Sequence, residues 1–411
     1  GPAAWWLHSE RARSSLSYVC HPMRAFETRT LSGWVSGLLS LKSSRLSGCV
    51  AQSLATRLRA APLPEASVAL KMLEQSLRQR CMPQRALLVL RRNLMLWAQS
   101  SRSLLAWADL MDDLYIQVLL QLESCRRSSA RNRPVLQLHV PKTAGSSLAS
   151  WGHRMGFKSS EAEKRRSGDG PFWINAFAMP ASCKQRRQEA AQLQTSWIEV
   201  ERWLDLPLCD DFGYVVALRE PVSRTLHQFQ QLWRLLSKTE PVHSGFFKAI
   251  WRYDDVRGTV GGRQSYEGNV DTGSPVDFLD LWLGFATNYQ VRSLAGAGVG
   301  RAFLEGGSMA RNRLRAAKSV LEQMEVVLVV GQGRIESWQS QILHHGLQVA
   351  STDVGDMPYE SHTSRHAFEL EPYSWTPAEF AETRARNRAD LELVAFARRL
   401  QELDRRYYNE F

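Results

Sequence analysis

Six cysteines in 411 residues, with no CxxC pair and no closely spaced histidine pair beside them, are too few and too scattered for a zinc module or a disulfide scaffold. Long apolar runs are missing as well. No window approaches the roughly 18–20 uninterrupted apolar residues that span a bilayer, and the best stretch, Leu31 to Leu41, is broken by Ser32, Gly33, Ser36 and Gly37. The sequence has no Walker A loop, no GxSxG elbow and no Asn-x-Ser/Thr sequon. Gly296, Gly298 and Gly300 follow a helical-looking segment rather than a strand, which excludes a dinucleotide fingerprint. His344–His345 and His362–His366 lack acidic or cysteine partners at ligand spacing, so they read as solvated loop residues and no metal site is expected.

Acidic residues are scarce in one part only. Residues 1–133 hold 19 basic and 8 acidic residues, while the whole chain holds 52 and 41, so the formal charge of +11 is entirely N-terminal. The remainder is balanced, with 33 of each sign. An overall positive field therefore does not draw nucleic acid to it, and any anion site there must be built locally from a few side chains and backbone amides. The apolar share of 44% and charged share of 23% describe a mostly folded protein.

The composition divides the chain into a basic Ser/Arg/Leu-rich extension over 1–132 and a second domain over 133–411. Residues 1–60, with eight basic residues against Glu10 and Glu27, read as a disordered arm or transit-like segment. The chain begins at Gly1 rather than methionine, which leaves room for a lost or upstream membrane anchor. From Glu65 to Arg127 the apolar spacing turns helical, with Pro83 as a break and Arg78, Arg85, Arg91, Arg92 and Arg102 between the apolar positions. Two readings stand: an amphipathic helix for a membrane surface or partner, and a helical hairpin packed on the main domain.

The informative segment is Pro134–Gly156, PVLQLHVPKTAGSSLASWGHRMG. Val135, Leu136, Leu138 and Val140 form a short apolar run bounded by Pro134 and Pro141, as a buried strand would be. Lys142, Thr143, Ala144 and Gly145 make a turn, and Ser146 or Ser147 is expected to cap the following helix. Strand, small-residue turn and helix start aim unpaired amides and the positive helix end at one point, which suits a phosphate. A second anchor lies in Gly213–Trp233, GYVVALREPVSRTLHQFQQLW. Tyr214–Leu218 reads as a strand with Arg219 at its carboxyl end, where open parallel sheets bind ligands, and Pro221 suits the first turn of a helix.

The string PKTAGSS after an apolar strand resembles the 5'-phosphosulfate-binding loop of sulfotransferases that use 3'-phosphoadenosine 5'-phosphosulfate (PAPS). LREPVSR is similar to their 3'-phosphate motif. The likeness is to the heparan sulfate 2-O/6-O-sulfotransferase branch and its bacterial relatives, over about residues 133–405, with an unmatched insertion between Lys158 and Leu206. It implies a P-loop-like three-layer α/β fold around a central parallel sheet. Within it, Val326–Val330 is a strand and Pro377–Leu400 one long amphipathic helix.

The implied roles fall residue by residue. Lys142, Thr143, Ala144, Gly145, Ser146 and Ser147 hold the 5' end of the nucleotide, and Arg219 holds the 3'-phosphate. The family's assisting serine eight positions after the arginine is His227 in this chain, a departure, and a histidine there is expected to donate to the phosphate in its place with pH-dependent affinity. Ser223 is a further candidate contact, although ordinary first-turn helix chemistry accounts for it as well. A weaker likeness around Phe285–Leu294 places Asn288, Gln290 and Arg292 near the acceptor, although a polar helix face accounts for them equally well. By residue type alone His139 is as readily a satisfied core histidine. The resemblance makes it the catalytic base, with Lys142 at the leaving phosphate. It further implies PAPS as co-substrate, a carbohydrate or glycosaminoglycan acceptor and Golgi membrane localisation. Two alternatives remain: a degenerate glycan- or nucleotide-binding relative, and a P-loop-like phosphotransferase that would need Mg2+ and a strand-end carboxylate. The glycine-rich loop Tyr253–Pro275 reads as an exposed insertion or an acceptor lid.

Overall fold

Val135–His139 (β1), Trp197–Glu201 (β2), Gly213–Arg219 (β3) and Val326–Val330 (β4) are short and rich in branched side chains, and β1, β3 and β4 are buried along their whole length. Strands covered on both faces cannot pair at a wet surface, and they form a single parallel sheet. Its order is β2-β1-β3-β4. The register aligns Val135 with Trp197 on one side and with Gly213 on the other, and Val215 with Val326. The computed structural model describes residues 63–79, 84–100, 114–122, 133–158, 182–201, 204, 208–236, 287–295, 308–331, 335–349 and 375–409. The arm over 1–60, Pro83, Gly296–Gly300, the loop Tyr253–Pro275 and the pair His362–His366 lie outside these residues.

The helices whose two ends are both described, in chain order, are α1 (Leu63–Gln79), α2 (Gln84–Ser100), α3 (Gly145–Arg154), α4 (Cys183–Gln192), α5 (Pro221–Leu236), α6 (Tyr289–Leu294), α7 (Ser308–Gln323), α8 (Ser337–Gly346), α9 (Pro377–Arg386) and α10 (Arg388–Asn409), and residues 114–122 are helical as well. Alternation along each strand sends side chains to two separate cores. Leu136, Leu138, Val216, Leu218 and Val327 pack with Leu294, Leu321, Leu393 and Leu400 on one face of the sheet. Val135, Val215, Ala217 and Leu328 pack with Leu148, Trp151, Ile342 and Leu343 on the other. The chain is thus an α/β fold with helices on both faces of a parallel sheet.

Several sequence expectations change in the folded chain. The stretch between Lys158 and Leu206, expected as an insertion, supplies α4 and the edge strand β2. Its Cys183 is disulfide-bonded to Cys209, 26 positions away. The expected single helix from Pro377 is two. A capping box formed by Thr376 and Glu379 starts α9, and Asn387 interrupts the helix because its buried side chain turns inward, accepting from the Asn288 amide and donating to the Thr383 carbonyl. His344 and His345 sit in the last turn of α8 rather than in a loop, with His345 stacked on Tyr408 at 5.4 Å.

Among the described arginines of the N-terminal segment, Arg85, Arg91 and Arg92 of α2 are buried, whereas Arg78 of α1 is exposed and pairs with Glu74. Arg92 donates to the carbonyls of Leu321, Glu322 and Met324 at the end of α7, and Arg91 and Arg92 both pair with the buried Asp404 of α10. A guanidinium is taken out of water this completely only when carbonyls and a carboxylate replace its hydration. Helix α2 is therefore packed into the main body as a helical element, one of the two arrangements that its spacing allows.

Candidate functional site

The chain runs from β1 to β2 on one side and then returns to β3 on the other, so the order in which strands are added reverses between β1 and β3. Open parallel sheets form a crevice at this place, beyond the strands' carboxyl ends. Both of the sequence's anchors end there.

The turn after β1 is tightly wound. Lys142 and Ala144 adopt left-handed backbone conformations, with φ of 68° and 63°, unfavourable for side chains with a Cβ and typical of strained functional turns. The Thr143 hydroxyl donates to the Val140 carbonyl at 2.7 Å and holds the bend closed. Helix α3 starts at Gly145 with Ala144 as its N-cap and no side-chain cap, so neither Ser146 nor Ser147 fills the capping role expected of them. The side chain that would ordinarily satisfy first-turn amides is absent by sequence, which leaves those donors for an anion.

Arg219 closes the crevice from β3. Its backbone is clamped by the Gln290 side chain, which accepts from the Arg219 amide at 3.0 Å and donates to its carbonyl at 2.9 Å. Its Nη1 donates to the Lys142 carbonyl at 3.4 Å. Its Nη2 lies 3.2 Å from His227 Nε2, while His227 Nδ1 is 2.8 Å from the Ser223 carbonyl. A carbonyl only accepts, so Nδ1 carries the proton, and Nε2 accepts from the guanidinium. In place of a serine donor, His227 is thus a neutral acceptor that orients Arg219. Ser223 is half-buried, and its amide donates to Glu220 at 2.6 Å.

His139 ends β1 on the α3 face of the sheet and is 6% exposed. Its Nδ1 lies 2.6 Å from Oε1 of Glu199 on β2. The same oxygen accepts from the Gln137 amide at 3.2 Å, and Gln137 in turn accepts from the Trp197 indole and donates to the Gly145 carbonyl. The other edge of the imidazole lies over Gly145, where an added Cβ would stand 1.9 Å from His139 Cδ2 and 2.3 Å from Nε2. Gly145 is required because the histidine occupies the space of a side chain. Sequence reasoning missed Glu199, since it sits in the supposed insertion; its one signal was an acid among apolar strand residues.

The three weaker candidates have structural partners. Asn288 accepts from the Asp390 amide at 3.1 Å, and Gln290 clamps Arg219. Arg292 is buried with its guanidinium 5.2 Å from the Tyr289 ring, and Arg224 approaches the same ring at 5.0 Å. Burial pushes the Arg224 guanidinium down to about 10, against the opposing pull of Asp390. Asp390 accepts from the Gln290 and Val291 amides. Its carboxyl is raised by burial more than these amides and the nearby arginines lower it.

Among the described residues no group of His, Cys, Asp and Glu is arranged to hold a metal ion, and no helix is long and apolar enough to cross a membrane. The chain matches no known family model and no curated protein.

Proposed function

We propose that this protein is an O-sulfotransferase that moves a sulfuryl group from PAPS to a hydroxyl of a carbohydrate acceptor. The observation that carries this reading is the meeting of the Lys142 turn and the Arg219 side chain at the sheet's reversal point. A doubly phosphorylated nucleotide needs two anion grips on one crevice, and the residues fit. The uncapped α3 start and Lys142 receive the 5' end, while Arg219, oriented by His227, receives the 3'-phosphate. On this reading the sheet and its flanking helices form a P-loop-like fold, with the catalytic domain beginning near residue 133.

The transfer is an in-line displacement. The acceptor oxygen forms a bond to sulfur as the bond from sulfur to the bridging phosphate oxygen breaks, and that oxygen keeps the electron pair. Lys142 and the first-turn amides of α3 stabilise the charge that builds there. The acceptor's proton goes to His139. No metal is required by this division of roles. The Cys183–Cys209 disulfide supports an oxidising compartment, in keeping with a Golgi lumen reached through an upstream anchor.

A melting-temperature series with 3'-phosphoadenosine 5'-phosphate tests the donor site, because a ligand that prefers the folded state raises its stability by mass action. Labelled PAPS over a panel of desulfated glycans, with mass analysis of the product, tests transfer. Binding with no transfer to any glycan would identify a nucleotide-binding relative that has lost turnover. No shift at saturating nucleotide would remove the reading.

A further inference from the structure

The geometry points to Glu199 as the positioning residue of the site: it holds His139 as the Nδ1–H tautomer and stands ready to balance the charge the imidazole gains when it takes a proton at Nε2. This deepens the sulfotransferase reading and rests on it for the reaction, but the tautomer is a property of the protein alone.

A carboxylate with 1% of its side chain exposed is costly unless opposing groups replace water. Glu199 Oε1 accepts from the Gln137 amide, and His139 Nδ1 stands 2.6 Å from the same oxygen, an ion-pair contact that is out of line for a hydrogen bond in this geometry. Its second oxygen, Oε2, is buried with no hydrogen-bond partner among the described residues. A carboxylate at this distance favours the imidazolium over the neutral ring, so the pairing supports the charged state that a base reaches when it accepts a proton during turnover.

Direction is fixed by the same contacts. With Nδ1 turned to Glu199, the Nε2 edge lies over Gly145 at the start of α3, where the leaving phosphate is proposed to sit. Among the described residues, Glu199 of β2 meets the ring at Nδ1 and Gly145 of α3 lies against its Nε2 edge, Glu201 is the register partner of His139, and Lys142 lies three positions along the turn. Glu199 is thus the carboxylate in contact with Nδ1. Parallel pairing sets the contact, because β1 and β2 run side by side with Gln137 opposite Glu199 and both residues point to the α3 face.

The test uses the full chain labelled with 15N-histidine. Long-range proton–nitrogen spectra of the wild type should show His139 as the Nδ1–H tautomer, with a deshielded Nδ1 proton. A wild-type Nε2–H tautomer overturns the inference without any variant having to fold. In Glu199→Gln the deshielded proton should disappear. Transfer should fall about 10²-fold or more in kcat, the lower end of what a working general base contributes, while the KM for PAPS stays within about twofold. The acidic limb of the pH–rate profile should move to lower pH, because the cation loses its counter-charge. Glu199→Asp should restore part of the rate. An unchanged profile and rate in Glu199→Gln overturn the inference while donor binding stands. Failure of the nucleotide to bind the wild type overturns the sulfotransferase reading instead and leaves the tautomer result intact.

Discussion

The two ends of the sheet use the same residue type in opposite ways. At the amino-terminal end Arg85 and Arg133 converge on Glu325, which also accepts from the Tyr214 amide, and Arg91 and Arg92 converge on Asp404. Each of these guanidiniums meets a buried carboxylate. At the carboxyl end Arg219 reaches the Lys142 carbonyl and the His227 ring. The first end is cement, and the second gathers the groups proposed to grip a nucleotide.

The largest effect that would sharpen this contrast is on the chemistry. His139→Gln, which keeps a donor for Glu199, should lower transfer by about 10²- to 10⁴-fold while nucleotide binding and melting temperature change little. Lys142→Ala should weaken both binding and rate. Next comes the cement: Asp404→Ala leaves Arg91 and Arg92 as buried cations without their carboxylate and should cost about 3–5 kcal/mol of folding stability in denaturant titration. A loss under about 1 kcal/mol would mean that the triad is not structural cement. Arg219→Lys should then reduce nucleotide affinity roughly ten- to a hundredfold by calorimetry, since one ammonium replaces a forked donor. It should leave unfolding within about 1 kcal/mol.

The smallest effect separates the two ends by pH. Burial pushes the Glu325 carboxyl up, but Arg85, Arg133 and the Tyr214 amide outweigh it and hold it below its ordinary value of 4.5. A depressed folded value means that the contribution is complete above the unfolded value and is lost as pH falls through the folded one. Stability should therefore fall on acidification below about pH 4.5, and Glu325→Gln should flatten that limb. Asp390 beside the site has the opposite sign, because burial raises its carboxyl. Its contribution should become more favourable as pH falls from its raised folded value toward its unfolded value.

Local signals were legible where neighbouring residues make the structure. β1, β3 and β4 announced themselves as short branched runs, and Arg219 is at a strand end because the apolar run stops there. Pro221 opens α5 as its fixed φ favours. The helix start was misread by one feature: the serines after Gly145 look like caps, but the left-handed Ala144 starts the helix before them. The break at Asn387 was illegible, because it depends on Asn288, 99 positions away. So was the fate of the arginines in α2, whose carboxylate partner Asp404 is more than 300 positions distant.

By itself the sequence determined the strands, the turn with its lysine, and the arginine and histidine that face the crevice, because each follows from residues within a few positions of one another. Tertiary structure alone decided which acid meets His139 and which carboxylates take up the arginines of α2. Those pairings join distant segments through strand register and helix packing, and a buried charge takes its meaning from the partner that replaces water.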